Sequence, residues 1–368
     1  MPKVQQTTLE IDLSALTHNY TYLKSKLKPE TKFLAVVKAF GYGSDSCVVA
    51  RHLQGLGADY FAVAYVDEGI NLRKAGITKP ILVLHPQTVN IKHLIKNCLE
   101  PNIYSKKTLK DFIRVAENEG QIDYPIHLKF NTGLNRLGFK EIDLEYIHSQ
   151  IEKTNVLKVK SIFSHMAASE DLNEKDFTSG QIESFKRIVA NFSRRFGFTP
   201  MLHMCNTSGI LNFPEAHFNM VRSGIGLYGF GNSEKEDENF KPIATLKSVI
   251  SQIHDVQKGE TVGYNRAFKS EATIKSATIP IGHADGIGRQ YGNGKGFVTI
   301  NGKPAPIIGN VCMDMIMVNV TDIECSEGDE VIIFGTHPTA VAFAKTANTI
   351  SYEIITALSQ RIRRVIKT

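Results

Sequence analysis

The sequence predicts an α/β chain, an N-terminal (β/α)8 barrel followed by a mostly-β domain. Three observations carry this reading. Eight short apolar runs recur through the first two-thirds of the chain, each followed by a helical pattern. The rhythm stops at the charged run Asn232-Ser-Glu-Lys-Glu-Asp-Glu-Asn239. Beyond it, apolar runs are short and separated by turn pairs such as Asn301-Gly302.

Taken in order, Thr8-Leu-Glu-Ile-Asp-Leu13 alternates like a strand. Leu13, Leu16, Tyr20, Leu23 and Leu27 then mark one helix face, with Ser14 the expected N-cap. The eight runs are 33–37, 61–64, 81–84, 99–103, 126–129, 159–163, 201–204 and 219–221. Their separators, such as Asp67–Ala75 and Gln181–Phe196, suit amphipathic helices. Alternation of this kind implies parallel βαβ units, and eight of them imply a closed barrel. The second domain carries expected strands at 249–253, 261–264, 277–281, 296–300, 305–308, 313–320 and 330–334, then helices near 339–348 and 351–359. The boundaries are drawn at 1–238 and 239–368, with residues 1–13 able to pair with the β domain instead.

Composition narrows the classes. With 368 residues, 42% hydrophobic and 22% charged, the chain can bury a sizeable core, which argues against disorder. Net charge is +6 but spread along the sequence, whereas a nucleic-acid binder shows a basic stripe. No apolar stretch approaches the length of a membrane span, and Met1–Thr8 lacks a leader pattern. The five cysteines form no C-x-x-C, so neither a disulfide framework nor a zinc site is indicated and reduced thiols in the cytoplasm are expected.

In such a barrel the reactive groups gather where the strands end. Lys38 closes the first run, Lys129 the fifth; His165 follows the sixth, Asn206-Thr207-Ser208-Gly209 the seventh, and Arg222-Ser-Gly224-Ile225-Gly226 the eighth. Burial would lower the pKa of Lys38 and give a neutral amine able to form a Schiff base. Taken alone, Lys38 reads better as a lysine reaching water from a strand end. The glycines near Arg222 can form an anion nest, with Thr207 offering a hydroxyl to the same phosphate. A lysine on the first strand and a phosphate site on the last two together suggest pyridoxal phosphate.

Here a family resemblance enters. Ala35-Val-Val-Lys-Ala-Phe-Gly-Tyr-Gly43 resembles the cofactor-lysine motif of alanine racemases, fold-type III pyridoxal-phosphate enzymes. Similar motifs are Lys129-Phe-Asn-Thr-Gly-Leu-Asn-Arg-Leu-Gly138, Met220-Val-Arg-Ser-Gly-Ile-Gly-Leu-Tyr-Gly229, Gly263-Tyr264, Ile279-Pro-Ile-Gly-His-Ala-Asp-Gly286 and Gly309-Asn-Val-Cys-Met-Asp314. They cover essentially the whole chain.

The resemblance implies interconversion of L- and D-alanine by two bases, supplying D-alanine for peptidoglycan. It implies a homodimer whose sites are completed by the partner's β domain. Lys38 would be the base for the D-isomer and Tyr264 of the partner subunit the base for the L-isomer. Tyr42, His165, Asn206, Thr207, Arg222, Gly224 and Ile225 would join Lys38 in holding the cofactor, with Arg222 opposite the pyridine nitrogen. His165 and Arg222 would supply the cationic surroundings that make a tyrosine acidic. Arg136 would contact the cofactor phenolic oxygen and the substrate carboxylate, Met313 of the partner subunit would bind that carboxylate through its backbone N–H, and Lys129 matches a lysine that is carbamylated in some members. Asp314 and His283 are supporting candidates. The sequence departs from the family at His283 (usually tyrosine), Asn310 (commonly arginine), Asn131 (often aspartate) and Gln360 (tyrosine in some members). The competing readings are a broad-specificity racemase, a basic amino-acid decarboxylase, which usually has glutamate where Arg222 stands, and a non-catalytic pyridoxal-phosphate carrier, which lacks the second domain.

Overall fold

The computed structural model describes residues 5–231 and 233–368. Met1–Val4, half of the stretch read for a leader, and Asn232, the first residue of the charged run, lie outside the described residues. The chain divides into two compact units, one built from Thr17–Gly41 and Ser46–Lys241, the other from the chain up to Leu16, Tyr42–Asp45 and Pro242–Thr368.

The first unit is a closed barrel of eight parallel strands. After β1 (Thr8–Asp12) come β2 (Lys32–Val36), β3 (Tyr60–Val63), β4 (Ile81–Val83), β5 (Glu100–Ile103), β6 (Tyr124–Lys129), β7 (Leu157–Phe163), β8 (Met201–His203) and β9 (Met220–Ser223). Each expected run lies on one of these strands. Parallel strands are covered on both faces, so their runs read as continuously apolar, and β3 is buried at every position. Inside the barrel, Leu34, Tyr60, Ala62, Leu82 and Met220 form an apolar cluster contributed by β2, β3, β4 and β9. The other half of the interior is polar, and it leads to the site described below.

The second unit is a nine-stranded sheet plus a two-stranded ribbon. Its strands are β10 (Ala244–Val249), β11 (Gln252–Val256), β12 (Thr261–Val262), β13 (Phe268–Lys269), β14 (Ile274–Ile279), β15 (Phe297–Ile300), β16 (Lys303–Ile308), β17 (Ile316–Asn319), β18 (Glu330–Phe334) and β19 (Arg363–Lys367). The order in the large sheet is β11-β14-β17-β16-β15-β18-β10-β1-β19, with β12 and β13 paired separately. Strand β1 runs antiparallel to β10 and parallel to β19.

Several expected elements differ in detail. The run 249–253 is not one strand: β10 ends at Val249 and β11 begins at Gln252. Between them, Ile250 N–H bonds Asp329 O and Ser251 N–H bonds Thr278 O, so the chain leaves β18 and joins β14. In 313–320 only 316–319 is strand, because Cys312 N–H closes a turn onto Met315 O at 2.9 Å. The run 261–264 yields only the two-residue β12 before a turn at Tyr264. Strand β19 escaped notice because Arg-Arg-Val-Ile-Lys is mostly charged, a pattern suited to a sheet edge. Ser14 is not the cap of its helix, Leu13–Ser25. Asp12 is: its Oδ1 accepts from Ala15 N–H at 2.9 Å and from the Ser14 hydroxyl at 2.7 Å.

Gly43 is a point where geometry dictates the residue. Its φ is +82°, and a Cβ there would lie 2.0 Å from Ile355 O. Its own carbonyl accepts two bonds from Arg364, from Nε at 3.1 Å and from a terminal nitrogen at 2.9 Å. Gly43→Ala is expected to lower stability by about 2–4 kcal/mol, through left-handed strain plus overpacking. An unfolding midpoint equal to wild type in a denaturant titration would refute this.

Candidate active site

Lys38 stands two residues beyond the end of β2. The backbone then does something unusual. Ala39, Phe40, Gly41, Tyr42 and Gly43 have φ of 53°, 54°, 62°, 50° and 82°. Such a left-handed turn costs roughly 1–2 kcal/mol at each residue with a Cβ, and strain of this kind gathers at functional sites. One carboxylate holds the start of it. Glu68 accepts from the N–H groups of Ala39 (2.6 Å), Ala64 (2.7 Å) and Tyr65 (3.1 Å), tying the exits of β2 and β3 together. Tyr42, in the other unit, is buried with its ring 6.3 Å from that of Tyr352, and burial pushes its hydroxyl pKa up.

The barrel unit brings Lys38, Lys129, Arg136, His165 and Arg222 into mutual electrostatic range. Burial lowers the Lys38 ammonium below its ordinary range; Arg136 adds to this and Glu68 opposes it. Lys129, the last residue of β6, is pushed down to about 8 by burial and by Arg136, Arg222 and Lys38. His165 is held well below its usual value by burial, then by Arg222 and the other cations. It is therefore a neutral imidazole, which corrects the expectation that His165 adds positive charge around a tyrosine. The charge resides on Arg222, Arg136 and the lysines. None of these four cations forms a salt bridge among the described residues.

Arg136 is carried by a loop that the departure at Asn131 builds. Asn131 Oδ1 accepts from Gly133 N–H (3.1 Å) and Asn135 N–H (3.0 Å), and its amide donates to Asn135 Oδ1 at 2.7 Å. Backbone bonds from Asn131 to Phe139 (2.9 Å) and from Phe139 to Lys129 (2.8 Å) pinch the loop shut. Asparagine thus does a turn-forming job that aspartate could do only in part, since aspartate lacks the donor.

Arg222 is 5% exposed on β9. Its guanidinium donates to His203 Nδ1 (2.7 Å), Ser164 O (2.7 Å), Met204 O (3.0 Å) and His165 Nδ1 (3.0 Å). Burial brings it down to about 10, so it stays charged at neutral pH. Its Nε–H makes no hydrogen bond among the described residues, leaving a buried cationic donor for a ligand acceptor. His203 was absent from the residues singled out in the sequence. The available signal was a histidine ending an apolar strand two residues before Cys205, which is too common a pattern to use.

At the ends of β8 and β9 lie the turns read as a phosphate site. Thr207 and Ser223 hydroxyls are 3.0 Å apart, and Gly226 N–H lies 3.3 Å from Thr207 Oγ1. Gly224 leads into a tight turn over Ile225–Tyr228, where a Cβ on Gly226 would come within 2.6 Å of Thr207 Cγ2. Asn206 Oδ1 is already engaged, accepting from Gly209 N–H at 2.9 Å and the Ser169 hydroxyl at 2.7 Å, so Asn206 acts first as a helix cap. The donor set suits a phosphate-bearing, electron-poor ring: hydroxyls and glycine turns at the ends of β8 and β9, an open arginine donor on β9, and a lysine that burial shifts toward the neutral amine.

The remaining candidates lie in the second unit. Tyr264 is 73% exposed and Met313 is 59% exposed. Asn310 Nδ2 donates to Tyr264 O at 3.0 Å, so the Asn310 departure fixes the tyrosine's backbone. His283 N–H bonds Cys312 O and Ala284 N–H bonds Met313 O, both at 3.0 Å, bringing the exposed His283 beside the Met313 loop. Asp314 accepts from Arg361 at 2.5 Å, and Arg361 also grips Asp285 through Nε at 2.7 Å, so Asp314 is a brace for this loop. Gln360 is exposed next to that arginine. Among the described residues, no His/Cys/Asp/Glu group suits a metal ion, and no helix is long and apolar enough to cross a membrane.

Comparison with known proteins agrees with this geometry. Residues 11–231 match the family model for the alanine racemase N-terminal domain, and residues 243–366 that for its C-terminal domain. The chain is 37% identical to the alanine racemase of Thermodesulfovibrio yellowstonii over 363 residues, covering 96% of each. Among solved structures, alanine racemase from Clostridium difficile superimposes with a TM-score of 0.92 at 32% identity, over 100% of this chain and 97% of that one. The enzyme from Bartonella henselae, solved with covalently bound pyridoxal phosphate, gives 0.89 at 29% identity over 98% and 99%. Two family models in the right order, relatives matched end to end, and a barrel rim of unpaired cations around a strained lysine lead to one conclusion: this chain belongs to the alanine racemase family.

Proposed function

We propose that the chain is a pyridoxal-phosphate-dependent alanine racemase, interconverting L- and D-alanine. The observation that carries this reading is the cluster of Lys129, Arg136 and Arg222, three groups without a salt bridge among the described residues, around Lys38, whose burial favours the neutral amine. A phosphorylated cofactor and a substrate carboxylate would answer that charge.

When bound, pyridoxal phosphate supplies an electron sink that acidifies the substrate's α-carbon. Lys38 Nζ, shifted by burial toward the neutral amine, would take or return the proton on one face. Tyr264 Oη of the partner subunit does so on the other. Arg222, charged at neutral pH, would offer its open Nε–H to the ring nitrogen and donate without giving up its proton. Arg136 and the backbone N–H of Met313 of the partner subunit would hold the substrate carboxylate. Thr207 and the Gly224–Ile225 turn hold the phosphate, and Tyr42 and Asn206 brace its surroundings. We further propose a cytoplasmic homodimer with shared sites that supplies D-alanine for peptidoglycan. An arginine in place of glutamate opposite the ring nitrogen disfavours decarboxylase chemistry.

Lys129 has the environment that carbamylation requires. At a pKa of about 8 a useful fraction is neutral near physiological pH, and a neutral amine adds CO2 to form a carbamate with release of a proton. The three cations that depress it would stabilise the new carboxylate. Without that modification, Lys129 makes stability depend on pH. Its folded pKa of about 8 lies below the ordinary lysine value of 10.5, so the unfolded chain binds more protons between those limits. Stability should therefore rise from pH 8 to 10.5, by roughly 3 kcal/mol at most from this group. Lys129→Met should flatten the slope and stabilise the chain at pH 7. Thermal unfolding in CO2-depleted buffer checks this; identical pH slopes in both proteins would contradict it.

Lys38→Ala should abolish racemisation in both directions. Borohydride should fix the cofactor to wild type and not to this variant; equal fixation would make another lysine the anchor. Mixing inactive Lys38→Ala with inactive Tyr264→Phe tests the shared site. With free subunit exchange half of the dimers are mixed, and each has one intact site, so recovered activity should approach about a quarter of wild type. No recovery after verified exchange would place both residues in one chain's site, or remove Tyr264 as the second base.

A further inference from the structure

The polar half of the barrel interior is a single chain of hydrogen bonds with one residue from each of five consecutive strands. Arg222 on β9 bonds His203 Nδ1 on β8 at 2.7 Å. His203 Nε2 lies 2.9 Å from Ser161 Oγ on β7. Ser161 Oγ lies 2.5 Å from His127 Nδ1 on β6. His127 Nε2 lies 2.6 Å from Glu100 Oε2 on β5. All five residues are buried.

Strand register shows that the chain climbs. His127 lies opposite Asn102, so Glu100 sits two residues lower, at the start of β5. His127 and Ser161 are level, His203 lies opposite Phe163 two residues above Ser161, and Arg222 is two residues above Met220, which faces His203. Each two-residue step is one layer of inward-pointing side chains, roughly 6–7 Å. The chain therefore joins the N-terminal floor of the barrel to the rim where the reaction takes place.

The two ends dictate the direction of every bond. An arginine can only donate and a carboxylate only accepts. His203 must then offer a lone pair at Nδ1 and carry its proton on Nε2, donating to Ser161. Ser161 in turn donates to His127 Nδ1, and His127 donates from Nε2 to Glu100. Burial, with Arg222 and His127 nearby, keeps His203 neutral, as this assignment needs. Neither ring is free to turn: Phe163 stacks on His203 with centroids 4.7 Å apart and planes 3° from parallel, and Tyr60 packs edge-on against His127. With rotation blocked, only protons can rearrange.

We infer that Glu100 is a positioning residue for the reaction at the rim, acting through His127, Ser161 and His203 to set the tautomer that holds Arg222. If the carboxylate is removed, only Arg222, at the far end, still favours the His127 proton on Nε2. The opposite assignment, with Ser161 turned to donate to His203 Nε2, ends with a proton on His203 Nδ1, a donor pointed at the arginine's own donor. Arg222 then loses one of the bonds that orient it. This inference rests on the racemase reading for its kinetic consequence but not for its structural one.

The test compares wild type, Glu100→Gln, Glu100→Met and Ser161→Ala as cofactor-loaded proteins. Ring nitrogen chemical shifts in histidine-labelled protein report the His203 tautomer, and alanine racemisation reports its effect. Glu100→Gln keeps an acceptor oxygen, so it should retain the Nε2–H tautomer and a kcat within about three-fold of wild type. Glu100→Met and Ser161→Ala break the chain at different points. Both should give mixed His203 tautomers and about a ten-fold lower kcat, the scale of one lost orienting bond, with little change in KM. A pure Nε2–H tautomer in both broken variants would overturn the inference, as would a kcat that falls only with the folded fraction. Should wild type fail to racemise alanine, the racemase reading falls, while the nitrogen shifts still decide the tautomer claim.

Discussion

The structure turns on the buried charge of Arg222. An arginine nearly sealed inside a barrel must have its donors satisfied, because leaving them unmade costs more than the bonds themselves contribute. The usual answer is a carboxylate in contact. Here the contacts are two imidazole nitrogens and two backbone carbonyls, all neutral acceptors. That choice keeps the net charge of the rim positive. It also explains why His165 and His203 are both held neutral: a second proton on either would set cation against cation. The polar half of the barrel interior follows from the same requirement, since each neutral acceptor needs its own partner further down.

The lysine end shows a different kind of constraint. Left-handed backbone over Ala39–Gly43 is tolerated because Glu68 gathers three N–H groups and because Arg364 holds the Gly43 carbonyl. Loops on the second unit are handled similarly. Asn310 fixes Tyr264 and Arg361 braces Asp285 and Asp314, so that exposed groups are carried on a braced backbone. In both units, rigidity is supplied by side chains that touch backbone.

Much of this was legible in the sequence. The eight barrel strands announced themselves because parallel strands are buried on both faces, and Lys38, Lys129, His165 and Arg222 could be placed at strand ends by that rhythm alone. What escaped obeys other rules. Strand β19 is charged, and the break between β10 and β11 depends on a change of partner that no local pattern records. The Asp12 cap lay two residues before the serine chosen for it. The links between Glu100, His127, Ser161 and His203 join residues 27 to 42 positions apart. Such pairing is a property of barrel register, visible only once the strands are aligned. The left-handed turn was hidden too, since Ala39 and Phe40 have no local preference for it.

Strand β1 has its neighbours, β10 and β19, far along the chain. During synthesis it leaves the ribosome ahead of the barrel strands, and its two partners follow them. The barrel unit, Thr17–Gly41 and Ser46–Lys241, lies between β1 and these partners and can close while the remainder is still being made. At roughly 5–20 residues per second, β19 emerges on the order of ten seconds after the barrel's last residue. Until β10 emerges, the apolar face of β1, Leu9 and Ile11, has no sheet to enter, and the other edge of β1 stays open until β19 arrives. Short length and the alternating Glu10 and Asp12 limit what else it can pair with, so the same polar positions that face outward in the finished sheet also guard the nascent chain.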